Sequence, residues 1–245
     1  MSLYRVISPV ADVYSAPDKN LPRGKFESQL VLGETFNVEA EKDGWCKGTC
    51  GHDGYAGYVE RHHLAADTPT PTHVVTTARS QTYAAASMKS LALDVLSFGS
   101  KIAIEKTEGD YLKIVNGGWI YAKHAAPLPA TDKDYVTAAK KFLETPYYWG
   151  GRSGFGIDCS GLVQAVLAQA GITAPRDTEQ QVQAIGKQVD DAQVGDIVFF
   201  SNHVGIMTDE KNIIHANAYH MKVTIEPLDT VVARGKGISA IRRLI

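Results

Sequence analysis

The first half of this 245-residue chain is written twice. Leu32-Gly33-Glu34-Thr35-Phe36-Asn37-Val38 is matched by Phe98-Gly99-Ser100-Lys101-Ile102-Ala103-Ile104, an offset of 66 (33 to 99). The same offset sets Trp45 on Tyr111 and Lys47 on Lys113 and brings Gly44 beside Asp110. Further on, Gly57-Tyr58-Val59 meets Gly118-Trp119-Ile120 at an offset of 61 (57 to 118), so the first copy carries five extra residues (66 − 61) in the loop with His52, Asp53, Gly54 and Tyr55. Each copy consists of short alternating apolar runs separated by Gly and Asp turns. That pattern predicts a small antiparallel barrel, made twice.

Two Pro/Thr-rich breaks, Asp67 to Thr72 and Ala126 to Thr131, have little to bury and read as linkers. They divide the chain into residues 1–66, 73–128 and 131–245. The third segment changes character. From Thr131 to Thr145 the apolar residues recur with a helical period, with Thr131 as the expected N-cap. A glycine-rich loop follows, then a second helix from Cys159 to Ala170 that ends at Gly171, and a third over Thr178 to Ile185. Strand-like runs close the chain: 196–201, 203–208, 212–216, 222–226 and 238–244. Helices first and an antiparallel sheet afterwards is an α+β arrangement.

Composition narrows the function. A hydrophobic fraction of 44% is that of a folded chain, and a net charge of −2 lacks the basic excess of a nucleic-acid binder. No apolar run is long enough to span a membrane. Met1 to Asp18 shows neither the basic nor the apolar part of a secretory signal, so a cytoplasmic protein is expected. Three cysteines make no disulfide framework. Cys46 is expected in a strand, Cys50 as a free thiol in a turn, and Cys159 stands alone.

A nucleophilic cysteine needs its thiolate, which a helix N-terminus or a nearby imidazolium favours. Cys159 falls where the second helix begins, behind a glycine-rich loop, and the same helix start directs backbone N–H groups to where an oxyanion would form. Asp158 sits at that helix's N-cap position. Of eight histidines, His203 and His215 lie on neighbouring strand-like runs, twelve residues apart. If those runs pair as a hairpin, His203 faces Cys159 as base and His215 orients His203, a triad.

The runs Pro146-Tyr147-Tyr148-Trp149-Gly150-Gly151, Asp158-Cys159-Ser160-Gly161-Leu162-Val163, His203-Val204-Gly205-Ile206 and Ile214-His215-Ala216 resemble, in this order, the NlpC-type cell-wall peptidases. Pro175-Arg176-Asp177-Thr178 and the strand from Val194 to Phe200 fit the same family. The resemblance implies a papain-like α+β catalytic domain, with Cys159, His203 and His215 catalytic and Tyr147 over the site. The two repeated copies resemble bacterial SH3 domains. Members with two such domains in front resemble γ-D-glutamyl-L-diamino acid endopeptidases of murein stem peptides. That implies Asp158 paired with the free amine of an N-terminal L-alanine, helped by Ser160 and Thr178. An aromatic residue of the first SH3-like domain, Tyr55 or else Tyr58, is implied to close the pocket.

Gly151 to Gly156 has no preceding strand and no GK[ST] ending, so it is not read as a phosphate loop. His62, His63 and His124 read as surface positions at strand ends and not as a metal site. A zinc site from Cys159, His203 and His215 would make the cysteine a ligand instead of a nucleophile, and neither metal nor cofactor is expected. Arg176 reads as a local structural residue. The expected partner is a murein peptide, with no nucleic acid and no membrane. The rivals are an amidase or acyltransferase of the same fold and a non-catalytic wall-binding protein. Oligomeric state, and lysine or meso-diaminopimelate as the diamino acid, stay open.

Overall fold

The computed structural model describes residues 2–20, 26–130, 133–235 and 237–244. The chain forms two compact units, 1–130 and 131–245. It is rich in strands and has few helices.

In the first unit the two copies obey one plan. The earlier copy is a seven-stranded antiparallel sheet in which Trp45–Cys50 lies between Thr35–Lys42 and Ala56–Glu60. The later copy has a five-stranded and a three-stranded sheet, with Tyr111–Ile114 between Ile104–Glu108 and Trp119–Tyr121. Cys46 pairs with Val59, and Leu112, 66 residues on, pairs with Ile120, 61 residues on. Each copy then makes a 3-10 turn, Arg61–His63 and Ala122–His124. Each turn ends in a histidine whose Nδ1 meets a serine hydroxyl, His63 with Ser8 and His124 with Ser80. Inward-facing apolar residues build a separate core in each copy, around Val13, Leu30 and Phe36 in one and Val75, Leu96 and Ile120 in the other. Cys50 is a correction: it ends a strand and is buried in the first core, because the alternation that turns Cys46 inward turns Cys50 inward as well. The break at 67–72 separates the two strand sets, yet both belong to one unit and touch directly, Lys101 N–H donating to the Leu32 carbonyl at 2.7 Å.

The second unit sets three helices before most of its sheet: α1 (Tyr135–Lys140), α2 (Cys159–Gln169) and α3 (Thr178–Ala184). Thr131, the expected cap of α1, lies outside the described residues. The cap seen is Asp134, whose carboxylate accepts from Thr137 N–H at 2.9 Å. α1 is also shorter than its apolar period suggested. Turns follow it, and Glu144 takes a positive φ of 66° before Pro146, which cannot continue a helix. The sheet has six antiparallel strands in the order Lys187–Val189, Ile238–Arg243, Ile197–Phe200, His203–Met207, Asn212–Asn217, Lys222–Pro227. A fourth helix, α4 (Leu228–Arg234), interrupts the strand series and packs Val231 against Val198, Phe200 and Ile241.

α2 is buried nearly all round, as a central helix must be, and it packs against the His203–Met207 and Asn212–Asn217 strands. Gly161, in its first turn, lets the preceding loop press onto it. A Cβ there would lie 2.2 Å from the Gly151 carbonyl oxygen.

Candidate active site

Cys159 opens α2 and is 8% exposed. Its N-cap, Asp158, is engaged on both oxygens. Oδ1 accepts from Gly161 N–H at 2.7 Å, Ser160 Oγ at 3.3 Å and Arg176 Nη1 at 3.1 Å. Oδ2 accepts from Gly150 N–H at 2.8 Å and Arg176 Nη2 at 2.6 Å. Arg176 is buried and also donates to Ser160 Oγ at 2.8 Å. Asp158 and Arg176 thus staple the loop, the helix start and the segment before α3 together. An incoming ammonium would share Asp158 with Arg176, not neutralise a bare carboxylate.

Thr178 opens α3 with Oγ1 4.0 Å from Cys159 Sγ. Tyr147 is half-buried and close enough that burial, then the Cys159 and Asp158 charges, raise its hydroxyl pKa. Burial and the Asp158 carboxylate push the Cys159 thiol up to about 11, against the downward pull of the Val204 and Ser160 backbone groups and Thr178. Val204 directly follows His203, so the start of α2 meets the start of the histidine strand. Among the described residues no hydrogen bond joins Sγ to His203. Resting structures of such pairs often have this looser geometry.

The two histidines do meet. Their strands pair, Ile206 opposite Ile214 and Met207 opposite Ile213. His203 Nε2 lies 2.7 Å from His215 Nδ1. Gly205 makes this possible, since a Cβ there would press on the His215 Cβ at 3.0 Å and on Ile213 Cγ1 at 2.8 Å. Burial, then the neighbouring His215, lowers His203 to about 4, and burial likewise lowers His215 against the pull of Glu226. Burial thus favours the neutral thiol and the neutral imidazole.

One residue escaped the sequence reading. Glu226 Oε1 lies 2.8 Å from His215 Nε2, while its Oε2 bonds Arg234 of α4 and lies 3.4 Å from His220 Nε2. Burial acts upward on Glu226, but the hydrogen bonds from Arg234, His215 and His220 prevail and hold it at about 2. It is the only acidic residue of its strand, which was the one signal available. A hollow of about 480 Å³ opens beside this row, lined by His203, His215, Asn217, Tyr219 and Arg234 among others.

In the first unit Tyr55 is half-buried against the earlier core, its hydroxyl donating to Glu27 Oε2 at 3.1 Å. Tyr58 lies on the neighbouring strand beside Trp45 and Lys47. His62 and His63, read as surface positions, also gather with Glu60, their donor atoms within 4.8 Å of one another, a spacing at which a metal ion can be held.

Residues 144–242 match the NlpC/P60 family. The second unit carries an NlpC/P60 domain. Residues 13–64 match the bacterial dipeptidyl-peptidase Sh3 domain, so the NlpC/P60 domain is preceded by at least one SH3-type domain. Two curated relatives are each named gamma-D-glutamyl-L-lysine dipeptidyl-peptidase. That of Bacillus cereus is 28% identical over 84% of this chain and 72% of its own length. That of Bacillus subtilis is 25% identical over 98% of both. A gamma-DL-glutamyl hydrolase of Bacillus subtilis is 36% identical over 61% of this chain and 40% of its own length. A crystal structure of an NlpC/P60 family protein from Bacillus cereus superposes with a TM-score of 0.85 at 25% identity, over 99% of both chains. With its NlpC/P60 domain the chain is a cysteine peptidase, a hydrolase acting on peptidoglycan-related peptides.

Proposed function

We propose that this peptidase hydrolyses the bond between γ-D-glutamate and an L-diamino acid in murein stem peptides with a free N-terminal L-alanine. The observation that carries the reading is the likeness, over 98% of both chains, to a relative named gamma-D-glutamyl-L-lysine dipeptidyl-peptidase, in a chain that sets an SH3-type domain before its NlpC/P60 domain. The residues support it. Cys159 attacks the glutamyl γ-carbonyl carbon as its proton passes to His203 Nδ1, the ring nitrogen not used on His215. The Cys159 N–H at the start of α2 and the Tyr147 hydroxyl face the developing oxyanion. His203 then returns the proton to the leaving amine, and water, deprotonated by His203, hydrolyses the thioester.

Ser160, Thr178 and the Asp158–Arg176 pair are proposed to line the glutamyl and alanyl side. Residues 73–128 are proposed as a second SH3-like domain, on the strength of the shared pairing at offsets 66 and 61.

The test compares kcat/KM for L-Ala-γ-D-Glu-L-Lys, its meso-diaminopimelate counterpart, the N-acetylated form of each, and a γ-linked DL-glutamyl oligomer. The free-amine tripeptides should be cut at least tenfold faster, and Cys159→Ala should abolish cleavage. Equal rates on acetylated substrates would remove the free-amine element. Preference for the glutamyl oligomer, the substrate class suggested by the hydrolase relative, would replace the stem-peptide reading.

A further inference from the structure

His203, His215 and Glu226 stand on three adjacent strands of one sheet. The pairing Ile213 to Glu226 and His215 to Thr224 makes Glu226 the diagonal neighbour of His215, within reach of a long side chain. We propose that Glu226 is a positioning residue that fixes which nitrogen of His203 is free to act as base. An ionised carboxylate only accepts, so at 2.8 Å it requires the proton of neutral His215 on Nε2. His215 Nδ1 then carries a lone pair, and at 2.7 Å it requires the proton of His203 on Nε2. That leaves His203 Nδ1 unprotonated, the state that takes the thiol proton. Arg234, bonded to the other carboxylate oxygen from α4, holds Glu226 in place and ionised.

Arg234 also makes the effect of a conservative change directional. In Glu226→Gln the side-chain amide has one accepting and one donating end. Arg234 can only donate, so it draws the amide oxygen and turns the NH₂ toward His215. His215 must then accept on Nε2, carry its proton on Nδ1 and donate to His203 Nε2. The His203 proton moves to Nδ1, the wrong atom, with the fold unchanged.

This inference rests on the proposed catalytic reading, but its first test does not. ¹⁵N NMR of the whole protein, labelled at histidine, should show wild-type His203 and His215 both protonated on Nε2, and Glu226→Gln should move both protons to Nδ1. In turnover, Glu226→Gln should lower kcat by about 10²–10⁴-fold with KM little changed. Glu226→Asp should retain more activity than Gln, and adding Arg234→Met to Glu226→Gln should restore part of it by freeing the amide to turn. A merely structural ion pair would show the opposite, the second removal adding loss to loss. A wild-type His203 protonated on Nδ1, or Glu226→Gln within about threefold of wild-type kcat, would overturn the assignment. Absence of wild-type peptide cleavage would instead overturn the catalytic reading and leave the proton positions to be judged by NMR alone. Should Glu226→Gln fail to fold, the wild-type spectrum still decides.

Discussion

Burial pushes the Cys159 thiol up to about 11 and the His203 imidazole down to about 4, so both are held toward their neutral forms. Both shifts come first from burial, which disfavours either charge, so the proton should leave Cys159 only as the substrate carbonyl takes the electron pair. Iodoacetamide reports this directly, because Cys46 and Cys50 are closed off in the first core, 0% and 1% exposed. Alkylation of Cys159 should quicken steadily from about pH 6 to about pH 9, tracking the small thiolate fraction. A rate already level below about pH 6 would mean a preformed ion pair. The three catalytic candidates were legible in the sequence because each carries a local sign: a cysteine at a helix start, and histidines on strand-like runs. Glu226 was not. Its partnership depends on diagonal reach across a twisted sheet and on a helix, α4, that the apolar pattern did not announce. Asp158 was legible as a cap, but its ion pair with Arg176 needed two segments brought together.

The start of α2 is where local sequence and tertiary structure meet. A buried carboxylate is tolerable at the helix N-terminus only because the dipole, three backbone or hydroxyl donors and the Arg176 guanidinium surround it. Arg176→Met would strand that charge and should cost about 3–5 kcal/mol in urea unfolding. Removing both charges, Asp158→Asn with Arg176→Met, should cost less than Arg176→Met alone, since no uncompensated charge remains. If the double variant is the less stable, Asp158 matters mainly as a cap and the ion pair is incidental. The element boundaries show the same division. α2 and α3 begin at the residues their sequences indicate, Cys159 and Thr178, where capping or turn chemistry is local. α1 stops early although its apolar period continues to Leu143, because the chain turns at Glu144, where Glu144 and Thr145 bond Val223 of the sheet. The repeat in the first unit was readable as matching strands, but not that the two copies would share one unit.

Across the whole molecule the titrating groups pull in one direction at each end of the pH scale. Four of the eight histidines, His63 and His73 in the first unit and His203 and His215 in the second, have lowered pKa values, burial being the largest cause in each. The unfolded chain therefore binds protons first, below its ordinary histidine value of 6.5, and each group's stabilisation is lost as pH falls through its folded value. For His203 the gap between 6.5 and about 4 is about 2.5, which at about 1.4 kcal/mol each is roughly 3–4 kcal/mol. Glu226, normally 4.5 and held at about 2, continues the loss at lower pH. At the alkaline end Cys159 is raised from 9.0, so its neutral form stabilises the fold up to 9.0, and that contribution fades as pH climbs toward about 11. Urea midpoints should accordingly be highest between about pH 6.5 and about pH 9 and fall on both sides. His203→Asn should flatten the acid limb between about pH 6.5 and about pH 4 while leaving the steeper fall below it, where Glu226 titrates. An acid limb unchanged by His203→Asn would mean that His203 is solvated enough to protonate freely, and with it the neutral resting pair at Cys159 would have to be given up.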